Sequence, residues 1–217
     1  MKPTPVLSTA FFPSIEYFAF LMADEVLLEA NEHFQKQSFR SRTNILTAGG
    51  VQTLSVPVLH TAHSMLITEV KIDYRTPWQR TLWRTIATAY GGSPYFLYYR
   101  DAIEPFFTKP YDSLFEYNFL IIKTLLQLMR CPCPIRLTDD YRAEYSLDLR
   151  NQIQPKQVRQ QDYAFRLTTP YYQTFSNLYG FVPNLSILDL LFNLGPDAVD
   201  YLKKRSFVGA ADAPLYE

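Results

Sequence analysis

The chain has 217 residues, with 21 basic and 21 acidic side chains that cancel, and a pI near 6.8. A hydrophobic fraction of 47% with only 19% charged residues describes a folded chain with a real core and excludes an intrinsically disordered one. Balanced charge argues against a general nucleic-acid binder, which usually carries a strongly basic domain, and leaves room for a local basic site.

In chain order, Val6 to Phe12 is an apolar run closed by Pro13, and it predicts a buried first strand. Ser14 is placed to cap a helix with Ile15, Phe18, Ala19 and Met22 on one face. Glu25 to Glu29 predicts a second strand, which completes a strand-helix-strand opening without the glycine fingerprint of a dinucleotide site. A basic segment follows, from Glu32 to Asn44. Ala48-Gly49-Gly50 reads as a turn, and Gln52 to Val58 and Met65 to Ile72 read as strands able to pair with each other. Thr76-Pro77 starts a helix that Gly91-Gly92 stops, and a second helix runs from Pro94 to about Ile103. Ser113 with Glu116 suggests a capping box for a long helix to about Met129, apolar nearly all round and therefore central. Ile135 to Thr138 is a last short strand. Residues 141–165 are polar and weakly periodic, either an exposed loop or an ordered flap. Asn184 to Asn193 is a capped helix, and Pro196 opens another through Lys204.

These elements predict one α/β domain over 1–217: a small, mainly parallel sheet with a Rossmann-like opening, covered by helices, with a helix-rich C-terminal half. The Phe119–Met129 run is too short to span a bilayer and holds Lys123, so no integral membrane segment is expected. No secretory leader is apparent, because Pro3, Pro5, Pro13 and Glu16 interrupt the N-terminal run. Cys131 and Cys133 are the only cysteines; they can neither complete a zinc site alone nor form a Cys-x-x-Cys pair, and they suggest a reduced, cytoplasmic protein.

Several segments together resemble the WbqC-like family of bacterial O-antigen and other polysaccharide gene clusters. They are Phe11-Phe12-Pro13-Ser14-Ile15-Glu16-Tyr17-Phe18, the Lys36–Asn44 block, Leu54-Ser55-Val56-Pro57-Val58, Ile72-Asp73-Tyr74 with Trp78, and Pro183 through Asn193. Each is weak alone; their order and spacing make the resemblance. It departs from the family at two places. Thr9-Ala10-Phe11 stands near where members often carry His-Gln-Pro, and Leu82 stands where many carry a histidine four residues after the tryptophan. The resemblance implies work on amino sugars or their acyl groups.

Lys36, Arg40 and Arg42 fall in one short segment with no acid after Glu32. If that segment is extended, Arg40 and Arg42 share a face and hold a phosphate or carboxylate as paired forks. The competing reading is a solvated edge strand whose cations discourage aggregation. Asn44, Trp78 and Asn184 join them as candidate ligand-binding residues. Ser186 with Asp189 is read first as a capping box, with Asn184 and the helix start as the alternative anion or amide site. His33 with Glu32 is the candidate general base and orienting carboxylate, and Asp73 at a strand end is the other proton-handling candidate. His60 and His63 lack partners for a metal, so none is assigned, and no cofactor is identified. The expected function is a transferase of surface-polysaccharide assembly that takes a nucleotide-linked amino sugar or its acyl donor, a small anionic ligand. The alternative is a non-catalytic accessory protein that uses the same pocket. The sequence does not fix an oligomeric state.

Overall fold

The computed structural model describes residues 3–59, 64–155 and 169–204. Strands β1 (Val6–Ser8), β2 (Val26–Glu29) and β5 (Ile135–Leu137) form a parallel sheet in the order β1-β2-β5. Val6 pairs with Leu27, and Val26 pairs with Ile135. Helix α1 (Ile15–Phe20) makes the crossover between β1 and β2, as the strand-helix-strand pattern predicts. All six of its residues are buried, so its apolar character is not confined to one face. The first strand is shorter than expected. After Ser8 the chain turns into a loop, still fully buried, because Phe11 donates its N–H to Phe39 and Ile15 donates to Leu185 rather than to a sheet neighbour.

The second sheet is a ribbon of β3 (Arg42–Thr47) and β4 (Gly50–Ser55), with Gly50 at φ 96° closing its turn. The expected pairing differs here. β4 pairs with the basic segment itself, whereas residues 65–72 form a 3₁₀ turn over Ile67–Glu69 flanked by single bridges, including Val58 to Ile72.

Helices α2 (Trp78–Tyr90), α3 (Phe96–Ile103) and α4 (Leu114–Leu128) follow, and a 3₁₀ turn extends α3 over Glu104–Phe107. Ser113 caps α4 by accepting from the Glu116 N–H at 3.3 Å. Leu114, Tyr117, Ile121 and Leu125 of α4 are buried and Leu128 partly so, but Leu120, Lys123 and Gln127 face outward. The helix therefore covers the core and does not run through it. A short helix α5 (Ser176–Tyr179) leads to α6 (Ile187–Leu194) and α7 (Ala198–Lys203). Phe11, Phe12, Phe106, Phe107 and Tyr117 join in edge and stacked contacts at 5.1–6.0 Å, so much of the aromatic content is core.

Of residues 141–155, the first four are exposed and the later part is packed. Leu147, Leu149 and Ile153 are buried, and Val6 exchanges backbone bonds of 3.0 Å with Leu147 and Leu149 along the outer edge of β1. The rest of that expected flap, like His60 and His63, lies outside the described residues. Among the described residues no helix is long and apolar enough to cross a membrane.

Candidate functional site

Three parallel strands point their carboxyl ends the same way, and in open α/β sheets that edge is where ligands bind. Here it gathers Ser8 from the end of β1, Glu29 from the end of β2 and Thr138 just past β5. Glu32 and Arg40 come from the connection to β3, and Arg150 comes from the strip beside β1. Glu29, Glu32, Arg40 and Arg150 are all nearly fully buried, and charges so placed must be matched.

The matching is complete for the two acids. Arg40 donates through Nε to Glu32 Oε1 at 2.8 Å and through Nη2 to Glu32 Oε2, and Nη2 also donates to Ser8 Oγ at 2.8 Å. Ser8 in turn donates to Glu32 Oε2 at 2.9 Å. Arg150 Nη1 donates to Glu29 Oε2 at 2.9 Å, while its Nε and Nη2 grip Asp148. Glu29 Oε1 accepts from the Thr138 hydroxyl at 2.6 Å and the Asn31 N–H at 2.9 Å. Burial pushes the Asp148 carboxyl up, but the Arg150 bonds outweigh it and hold the group below the usual carboxylate range. Tyr141 and Tyr145 each set a ring 4.9 Å from the Arg150 guanidinium.

Two spaces flank this cluster. A cleft of about 330 Å³ is lined by Asn31, Glu32, His33, Gln35, Tyr141, Arg150 and Asn151. Behind it, a cavity of about 10 Å³ is lined by Ser8, Thr9, Ser14, Tyr17, Arg40 and Arg150 among others, and Thr9 Oγ1 there is buried without a hydrogen-bond partner. That volume and that orphan hydroxyl fit one ordered water.

The structure brings together Glu32, His33 and Arg40 of the sequence-predicted residues and separates the others. The paired-fork expectation fails for a local reason. Residues 36–41 form turns, not a strand, so period-two alternation does not carry from Arg40 to Arg42. Arg40 turns inward to Glu32, the acid that precedes the block. Arg42 lies half-buried in β3, and Lys36 is exposed. Arg42, Asn44, Asp73, Trp78 and Asn184 do not line the cleft or the cavity.

Asp73 is held by Arg75, whose Nη2 lies 2.5 Å from Oδ2, and this lowers its carboxyl below the usual range. It lies just past the Val58–Ile72 bridge and outside the cleft. Trp78 is buried with an unpartnered indole N–H. Asn44 and Asn184 meet at a separate junction. Asn184, at φ 52°, exchanges bonds of 2.9 Å with the Glu16 N–H and the Glu16 carboxyl, and Asn44 C=O accepts from Ser186 N–H at 2.8 Å. Ser186 caps α6 by accepting from the Leu188 N–H at 3.3 Å, but Asp189 does not close the expected box. Its carboxylate accepts from Tyr90 at 3.0 Å and Tyr171 at 2.6 Å instead.

Sequence reasoning missed Ser8, Glu29 and Arg150. The signal for Arg150 was present in Leu147-Asp148-Leu149-Arg150: alternating apolar residues with a charge pair two apart, preceded by Tyr141 and Tyr145. Arg150 is the contact that ties the strip beside β1 to the end of β2.

The fold and cluster define a mixed α/β chain with a buried charged cluster at the carboxyl edge of its parallel sheet, beside a polar cleft. The WbqC-like protein family matches residues 9–164 and 156–201, and the chain belongs to that family. It is 25% identical over 228 residues to the uncharacterized protein Rv1507c of Mycobacterium tuberculosis, covering 94% of this chain and 98% of the relative. No solved structure matches it.

Proposed function

We propose that the cleft takes an amino sugar carried on a nucleotide, and that the protein transfers an acyl group to it during assembly of a bacterial surface polysaccharide. The observation that supports this most is the character of the cleft. Its buried cations are spent on Glu29, Glu32 and Asp148, so the wall offered to a ligand is Asn31, His33, Gln35, Asn151 and the Tyr141 ring. Amides and an aromatic face suit the hydroxyls, amide and ring faces of a sugar better than they suit a diphosphate. The nucleotide is then held outside the cleft, where exposed Lys36 and Arg142 each adjoin a cleft residue in sequence.

In such a transfer the sugar amine attacks the carbonyl of an acyl thioester. The C–N bond forms, the C–S bond breaks, and a proton leaves the amine for His33 and returns to the departing thiolate. His33 is exposed at the cleft, and its backbone is fixed by a bridge to Leu66. Both Glu32 oxygens serve Arg40 and Ser8, and the His33 imidazole makes no bond to them. That same fact favours a second reading, binding without turnover. A cytoplasmic setting is in keeping with two free cysteines.

Calorimetric titration with nucleotide-linked amino sugars, and with the same sugars free, tests the binding half. Asn151→Ala weakens binding and His33→Ala abolishes transfer while leaving affinity within about threefold, the pattern of a group used only in the transition state. Binding with no transfer to any acyl thioester selects the accessory role. Absence of binding to every amino sugar removes both readings.

A further inference from the structure

The Arg-Cys-Pro-Cys-Pro segment plays no part in the cleft. It follows α4 and leads into β5, and backbone bonds brace both its ends: Cys131 N–H to Leu126 C=O at 3.0 Å, and Val26 N–H to Pro134 C=O at 3.1 Å. Arg130 sits in the left-handed region at φ 51°, and Pro132 and Pro134 stiffen the segment up to β5. Two cysteines are thus presented on a rigid loop.

A third sulfur, that of Met22, meets Cys131. The Cys131 thiol donates to the Met22 thioether at 3.6 Å, and Cys133 Sγ lies 3.8 Å from the carbonyl of Ala23, the residue after Met22. All three side chains are half-buried. Two sulfurs bound to one metal at about 2.3 Å stand roughly 3.8–4.0 Å apart in tetrahedral or trigonal geometry. The Cys131–Met22 pair is already near that spacing.

We propose that Met22, Cys131 and Cys133 form a binding site for a soft monovalent metal ion, Cu(I). Thiolate and thioether donors select Cu(I). Zinc prefers four ligands and rarely uses methionine, and among the described residues no group of three His, Cys, Asp or Glu assembles around these sulfurs. Access is through a cavity of about 330 Å³ lined by Cys131, Cys133, Lys123 and Arg130 with apolar neighbours. Two thiolates with one Cu(I) carry a net negative charge, which the Lys123 and Arg130 cations in that wall offset. Binding releases two protons, one from each thiol.

The test is anaerobic titration of the reduced full chain with Cu(I) against a chromophoric Cu(I) chelator. One Cu(I) per chain is expected, with Cys131→Ser and Cys133→Ser each weakening it about 100-fold or more and Met22→Leu weakening it about tenfold. X-ray absorption of the loaded wild type, which needs no variant, should show three sulfur neighbours and no nitrogen or oxygen. Wild-type affinity in the Cys131→Ser/Cys133→Ser double variant, two sulfurs only in the absorption spectrum, or displacement of Cu(I) by an equimolar amount of Zn(II) would overturn the site.

Discussion

Arg40→Met separates a structural arginine from a ligand-binding one. Arg40 is 2% exposed, and methionine keeps much of its stem volume while removing the guanidinium. Glu32, 4% exposed, then loses both Arg40 bonds and keeps only the Ser8 hydroxyl. Breaking one side of a buried pair strands the other charge, which costs about 3–5 kcal/mol. Removing both with Arg40→Met and Glu32→Leu strands no carboxylate, so the double variant should lose markedly less than the sum of the singles. Urea unfolding at pH 7 reads all three, with the slope checked for constancy. Loss of under about 1 kcal/mol in Arg40→Met, or simple additivity in the double, would refute the reasoning. A clamp for an anionic ligand would instead lose affinity at an unchanged midpoint.

Burial pushes the Glu16 carboxyl up to about 7, only partly offset by its Asn184 bond. A raised folded-state value means the folded chain holds the extra proton. The contribution of Glu16 is therefore fully present below about 4.5 and is lost as pH rises through about 7. Glu16→Gln keeps an oxygen for Asn184 and should stabilise the protein at pH 8 by up to a few kcal/mol, with little effect at pH 4; thermal melts at the two pH values check this, and equal effects at both would contradict it. Leu125→Ala, at a fully buried position of α4, should cost about 2–5 kcal/mol in chemical denaturation, and an unchanged midpoint would count against a rigid site there.

The elements with strong local signals were legible in the sequence. The β1-α1-β2 opening, the Ser113 cap, the Ser186 cap and β5 all rest on hydrophobic period and capping chemistry, which act within a few residues. The pairing of β3 with β4 was not legible, because the apolar content of residues 65–72 fits a strand as well as the 3₁₀ turn and bridges that long-range partners impose. The site was half legible. Glu32, His33 and Arg40 were marked by the basic block, but the role of Arg40 depended on a carboxylate across a turn. Arg150 depended on a bond to Glu29, 121 residues away, and no local pattern encodes a partner at that range.

The junction between Phe12–Glu16 and Asn184–Ile187 bears on how the chain is made. Ile15 N–H reaches Leu185, Ile187 N–H reaches Pro13 at 2.7 Å, Ser186 hydroxyl reaches Phe12, and Glu16 and Asn184 bond each other across 168 positions. The entry to α1 is thus completed by groups 168 to 174 positions further along the chain. Until Asn184 to Ile187 are made, the Ile15 and Glu16 N–H groups lack their native acceptors. Such distant closure slows folding.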